Sequence, residues 1–91
     1  MYLRITRGRF DPAAADQVTP LVTEVSAAVE RMPGFQHLYQ ARDLSGGSIV
    51  AVSLWDTEEH ARFSREDLGE VITRLSERGV RMDPPEVFEV V

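Results

Sequence analysis

The feature that most constrains the fold of this chain is the order of its hydrophobic periodicities. Apolar side chains alternate with a period of two in four segments and repeat at helical spacing in two others, with breaker residues in between. This order predicts strand–helix–strand–strand–helix–strand, the α+β ferredoxin-like pattern with two helices on one face of a four-stranded antiparallel sheet. A length of 91 residues allows a single domain, residues 1–91.

The predicted strands are set by alternation and by the turn residues that separate them. We expect strands over 2–9, 35–44, 49–55 and 86–91, with the glycine pair in 45–48 forming the central turn. The more aliphatic side of the first and third strands is expected to pack on the helices. Its members are Leu3, Ile5, Val50, Val52 and Leu54.

The helices are predicted from apolar spacing and capping residues. Because proline is unfavourable inside a helix, we expect Thr19 to cap the first helix and Pro20 to be its first residue, after a turn or short helix over 11–18. The helix should end at 33–34. The second helical segment, 58–78, should be bent or interrupted, because Ser64 provides another start signal.

The sheet face opposite the helices is predicted to be too apolar for water. We expect it to carry Tyr2, Arg4, Thr6, Ile49, Ala51, Ser53, Trp55, His37 and Tyr39. A chain this short has a thin core, and it has no cysteine to supply a disulfide. We therefore expect a second copy to cover this face, giving a homodimer whose sheets enclose a common space.

Composition excludes several classes of function. The chain lacks cysteine and lysine, which removes thiolate metal sites, cysteine nucleophiles, Schiff-base chemistry and a P-loop. A net charge of −5 argues against nucleic-acid binding by phosphate neutralisation. No metal-ligand spacing stands out, so no metal site is predicted. With no long apolar run and no leader, no membrane partner is expected and the simplest location is the cytoplasm.

Two motifs give the chain a family resemblance. The turn Pro33-Gly34-Phe35 and the run 53–61, SLWDTEEHA, resemble those of the antibiotic biosynthesis monooxygenase-like proteins, which belong to the dimeric α+β barrel superfamily. The resemblance implies a homodimer with a cavity between sheet and helices, and oxygenation of aromatic or quinol-type molecules without a cofactor. Separately, a chain rich in Ala and Val whose basic residues are all arginine suggests a GC-rich bacterial genome. Polyketide oxygenases of this kind have an asparagine four residues before the tryptophan, where this chain has Ala51.

Oxygenation without metal or flavin requires a dry pocket that stabilises a deprotonated, electron-rich substrate. Catalytic candidates are Arg4 to hold an oxyanion, His37 as base and Trp55 beside a flat ring; Tyr39, Trp55 and Phe63 are candidate substrate contacts. Core or interface packing of the aromatics and an ion pair of the arginine are the alternatives. Two functions stay open: a cofactor-independent monooxygenase, and a non-catalytic dimeric ligand-binding or accessory module, which the missing asparagine favours.

Overall fold

The computed structural model describes residues 1–91, and its elements follow the predicted order. The second helical segment is divided in two, and one unpredicted short strand precedes the last strand. The strands are β1 (Tyr2–Arg9), β2 (Phe35–Asp43), β3 (Ser48–Trp55), β4 (Arg81–Met82) and β5 (Glu86–Glu89). The helices are α1 (Ala15–Glu30), α2 (Glu58–Ala61) and α3 (Glu70–Glu77), with short 3-10 turns at Pro12–Ala14 and Arg65–Leu68. None of the helices combines the length and apolar character needed to cross a membrane.

The antiparallel sheet has the strand order β2–β3–β1, and two short strands share the outer edge of β1. β5 pairs with Tyr2–Ile5, and β4 pairs with Gly8 and Arg9. Pro84 and Pro85 separate the two strands, because a residue without an N–H cannot continue the ladder. The α+β ferredoxin-like fold is confirmed, although the predicted single last strand over 86–91 is shorter and β4 was not expected.

Helix α1 begins earlier than predicted. It starts at Ala15, so Pro20 lies inside it, and the side chain of Thr19 bonds to the carbonyl of Ala15 at 3.0 Å instead of capping. The exposed ring of Pro20 removes one backbone hydrogen bond of the helix, while the residues before it bury Val18 completely in the core. The predicted turn at Asp11 is confirmed: its carboxylate accepts a hydrogen bond from the N–H of Ala13 at 2.9 Å.

The second helical segment is interrupted, as predicted. The hydroxyl of Thr57 accepts a hydrogen bond from the N–H of His60 at 3.2 Å and caps α2. Ser64 then starts the 3-10 turn, and its N–H donates to the carboxylate of Asp67 at 2.9 Å. The break between α2 and α3 allows Phe63 to turn inward, towards the sheet.

The predicted orientation of β1 and β3 is wrong, because the opposite side of each strand faces the helices. The side chains under the helices are Arg4, Thr6, Ile49, Ala51 and Ser53, with Leu38 and Gln40 of β2. The more aliphatic side faces away from the helices and includes Leu3, Ile5, Val50, Val52 and Leu54, with His37 and Tyr39. We call this second surface the open face; Phe88 of β5, paired with Leu3, extends it.

The reversal has a physical reason in two buried polar side chains. Arg4 is 6 % exposed, and its guanidinium donates to two main-chain carbonyls instead of to water. Ser53 is 5 % exposed and accepts a hydrogen bond from the indole of Trp55. Because these polar groups have partners, the less aliphatic side can be buried. Alternation tells which residues share a face, but it does not tell which face the helices cover.

Gly34 gives a test of the junction between the α1–β2 turn and α2. Its φ is +79°, and an added Cβ would collide with the carboxylate of Asp56 and the ring of His60. Gly79 has the same φ, but nothing lies within 4 Å of its would-be Cβ. Both Gly→Ala variants incur backbone strain, of order 1 kcal/mol. We expect Gly34→Ala to lower the free energy of unfolding by about 1–3 kcal/mol more than Gly79→Ala, measured by urea denaturation. Equal losses would contradict this packing.

Candidate functional site

A cavity of about 390 Å³ lies between the sheet and the helices. This volume is at the lower end of the range for small-molecule pockets, about 300–1,000 Å³. The lining side chains of α1 and α3 are all aliphatic, and with Leu68 of the 3-10 turn they are Val22, Val25, Val29, Ile72 and Leu75. The cavity can therefore hold the carbon skeleton of a small ligand away from water.

The sheet side of the cavity carries four hydrogen-bonding side chains, which we call the polar floor: Arg4, Thr6, Gln40 and Ser53. In the strand register Arg4 is opposite Ser53, while Thr6 and Gln40 are opposite Ala51 from either side. Directly opposite residues have Cβ atoms about 4.5–5.5 Å apart. The polar floor thus surrounds the small side chain of Ala51.

Arg4 is the one buried charged group that lines the cavity, because Arg65 and Asp83, which also line it, are exposed. Its Nη1 donates to the carbonyls of Ala61 and Phe63, each at 2.9 Å, and its guanidinium carbon lies 3.7 Å from the centre of the Phe63 ring. No acidic side chain forms an ion pair with it. Burial lowers the pKa of Arg4 to about 10, so the guanidinium stays a cation at neutral pH.

Trp55 lies behind the cavity instead of lining it. Its side chain is completely buried, and its Nε1 donates to the hydroxyl of Ser53 at 2.8 Å. The indole packs edge-on against Phe35, with ring centres 5.8 Å apart. It packs at a tilt against Phe63, with ring centres 5.2 Å apart. Phe63 itself lines the cavity. Trp55 therefore fixes the positions of Ser53 and Phe63, which do face the cavity.

His37 and Tyr39 lie on the open face, away from Arg4. Their ring centres are 4.4 Å apart, and Tyr39 is 64 % exposed. The intervening residue Leu38 lines the cavity, so alternation along β2 directs both rings to the other side of the sheet. The structure brings Arg4 and Phe63 together with Trp55 but separates His37 and Tyr39 from them. The expectation that Arg4, Trp55, His37 and Tyr39 share one face is wrong.

Sequence reasoning does not single out three uncharged polar residues that line the cavity: Thr6, Gln40 and Ser53. Serine and threonine are common in strands, so their types carry no signal. The alternation of β1 and β3 already grouped Thr6 and Ser53 with Arg4, and the strand register adds Gln40. A correct assignment of the buried face would have identified all three.

A second group of polar side chains lies at the start of α2. Nδ1 of His60 is 2.6 Å from the carboxylate of Asp56, and this hydrogen bond lowers the pKa of Asp56. Both side chains are more than one-third exposed, and they pack over Gly34. No three histidine, aspartate or glutamate side chains lie together where they could hold a metal ion.

The fold and cavity define the chain as a ferredoxin-like α+β protein with an internal pocket. The family model of antibiotic biosynthesis monooxygenases matches residues 1–68. The chain therefore belongs to the antibiotic biosynthesis monooxygenase family, as the motifs around Gly34 and Trp55 indicate. No curated protein sequence matches the chain.

Solved structures with the same architecture cover nearly the whole chain. A protein of Deinococcus radiodurans shares 17 % identity at a TM-score of 0.81, over 100 % of this chain and 93 % of the other. HapK of Hahella chejuensis shares 19 % identity at a TM-score of 0.77, and the match covers 100 % of this chain and 93 % of HapK. SnoaB of Streptomyces nogalater, a cofactor-independent oxygenase, shares 18 % identity at a TM-score of 0.72. The match covers 99 % of this chain and 92 % of SnoaB. At such low identities the likeness establishes the fold and not the activity.

Arg4 can be tested for the stabilising role that its hydrogen bonds indicate. Arg4→Met leaves the carbonyls of Ala61 and Phe63 without their partner, and bonds from a charged donor contribute about 1.5–3 kcal/mol. We expect the free energy of unfolding to fall by about 2–3 kcal/mol in urea denaturation. Arg9→Met is the matched control, because Arg9 is exposed and should change stability by less than about 0.5 kcal/mol. Equal effects would contradict the role.

Proposed function

We propose that the chain is a homodimeric, cofactor-independent monooxygenase that oxidises a small aromatic or quinol-type molecule in the cavity. Family membership supports the reaction class. The observation that carries the proposal is a cavity with an aliphatic ceiling and a single buried cation, Arg4, on its floor. An apolar enclosure beside a fixed cation suits a flat carbon skeleton that carries a negatively charged oxygen.

The proposed chemistry needs only the substrate and dioxygen. The substrate loses a proton to water before it enters the cavity, and the delocalised carbanion or phenolate that results supplies the electrons. One oxygen atom of O₂ enters the substrate, and the other leaves as water with the two hydrogens lost from the carbon. Arg4 stabilises the oxyanion, Phe63 contacts the ring, and the helices exclude water. Trp55 acts by holding Phe63 and Ser53 in place.

The interior of the cavity holds no base that could accept a proton from the substrate. The cavity is lined by no histidine, glutamate or tyrosine, and Asp83 at its rim is the only carboxylate among the lining residues. His37, the base predicted from the sequence, lies on the open face. This observation favours the alternative function, a dimeric module that binds a small ligand without converting it.

The homodimer is proposed to form through the open face. Its central rows hold Leu3, Ile5, Val52, Leu54 and Phe88, and Phe88 is 50 % exposed. The ion pair between Arg7 and Glu86 lies beside these rows. The aliphatic rows need an aliphatic partner, and a second copy of the same face provides one of matching size. His37 and Tyr39 would then lie in the interface, where tyrosine is enriched. The cytoplasmic location expected from the sequence stays a prediction.

The oxygenase proposal is tested by oxygen consumption with a panel of anthrone- and quinol-type substrates. Ala51→Leu places a larger side chain at the centre of the polar floor, so we expect at least tenfold lower kcat/KM. Ala27→Leu makes the same change on the exposed side of α1 and should leave kcat/KM unchanged. His37→Ala should also retain activity, because the ring is remote from the cavity. Absence of turnover with every substrate would favour the binding module.

The dimer proposal is tested by light scattering at micromolar concentration. We expect twice the mass of one chain for the unaltered protein. Val52→Glu introduces a charge at the middle of the open face and should give a monomer, because burying an unpaired carboxylate costs several kcal/mol. Thr23→Glu adds the same charge on the exposed side of α1 and should remain dimeric. A monomeric unaltered protein would rule out the proposed interface.

A further inference from the structure

Three side chains of the polar floor, those of Arg4, Gln40 and Ser53, have hydrogen-bond donors without a protein partner. The Ser53 oxygen accepts a bond from the Trp55 indole, so the hydroxyl proton of Ser53 is free to donate. The hydroxyl of Ser26 donates to Oε1 of Gln40 at 2.5 Å, which leaves the amide N–H groups of Gln40 unused. A donor-rich surface of this kind requires a ligand that presents acceptors.

The positive charge of Arg4 also favours a ligand that presents hydrogen-bond acceptors. Only Nη1 of Arg4 bonds to the protein, so the N–H groups on Nε and Nη2 have no protein partner. A guanidinium carries five N–H donors and cannot accept a hydrogen bond. A buried cation without a carboxylate partner is costly, and an anion brought beside it would offset that cost. The interior supplies no such anion, since the carboxylate of Asp83 is at the exposed rim.

The geometry of the strands places these donors around one point. Arg4 and Ser53 are directly opposite each other, and Thr6 and Gln40 flank Ala51 in the next row of the cavity side. The methyl group of Ala51 leaves room above the sheet at the centre of the four side chains. A flat ligand whose oxygen atoms lie there would place its carbon skeleton beneath the aliphatic helices.

We propose that the cavity selects a planar aromatic anion, with its oxyanion bound by Arg4, Ser53, Thr6 and Gln40 over Ala51. The inference rests on the proposed function in taking this cavity as the ligand site, and it adds the charge state of the ligand. Because the interior holds no base, the ligand enters already ionised. A carboxylate and a phenolate or enolate share the required chemistry, and the experiment below distinguishes them.

The test measures binding alone, by titration calorimetry on the intact protein at neutral pH. The probes are 2-naphthoate, an aromatic carboxylate, and 2-naphthamide, a neutral compound of nearly the same shape. We expect 2-naphthoate to bind at least tenfold more tightly, as expected for hydrogen bonds to a charged group. Quenching of Trp55, the only tryptophan, provides a second readout, because its ring contacts the cavity-lining Phe63.

Variants identify the group responsible for the preference. Arg4→Gln should bring the affinities for the two probes within about twofold of each other, whereas Arg9→Gln at the exposed last residue of β1 should keep the tenfold preference. Should Arg4→Gln fail to fold, Thr6→Val and Ser53→Ala serve instead, and each should reduce the preference at least twofold. Equal binding of the probes, tighter binding of the amide, no binding of either, or a preference that survives these substitutions would overturn the inference.

A third probe identifies the chemical source of the oxyanion. 2-Naphthol is titrated at pH values below and above the ionisation of its hydroxyl group, with 2-naphthamide as a pH control. Binding that tightens on ionisation indicates a phenolate-type ligand, whereas a preference confined to 2-naphthoate indicates a carboxylate; both outcomes support the oxyanion site. None of the probes needs to be oxidised, so binding and turnover are tested separately. If the protein prefers the anionic probe but consumes no oxygen with the anthrone- and quinol-type panel, the oxygenase is refuted and this inference stands.

Discussion

The two hydrogen bonds from Arg4 to the carbonyls of Ala61 and Phe63 determine much of the arrangement around them. They join the central region of the sheet to the end of α2 and hold Phe63 against Trp55. They also direct Arg4 beneath the helices. Because strand side chains alternate, this fixes Leu3 and Ile5 on the outer side, and antiparallel pairing transmits the same orientation to β3.

The local elements of this fold are predictable because their signals lie close together in the chain. Neighbouring residues determine the bounds of β1, the cap at Thr57 and the capping pair of Ser64 and Asp67. The buried face is not local information, because both sides of β3 are apolar. Its choice depends on a contact between Arg4 and carbonyls 57 and 59 positions away, which no periodicity encodes.

The site was only partly predictable for the same reason. Arg4 and Phe63 carry recognisable chemistry, and they line the cavity, whereas Trp55 supports it from behind. Small residues under the helices leave the cavity unfilled, since Ala51 and Ser53 occupy positions where larger side chains would pack against α1 and α3. The aliphatic residues that could have filled it lie on the open face. The cavity side of the sheet is thus available to a ligand, and the open face is available to a partner.

The alanine at position 51 does not deprive the cavity of an amide. The family resemblance implies an asparagine at this position in the polyketide oxygenases, on the strand that ends at Trp55. In this chain Gln40 is directly opposite Ala51 on the neighbouring strand, and its side chain lines the same cavity. Ser26 fixes the carbonyl of that amide, so its N–H groups are available to a ligand. An amide donor is thus present over the same row of the sheet, supplied from β2 instead of β3.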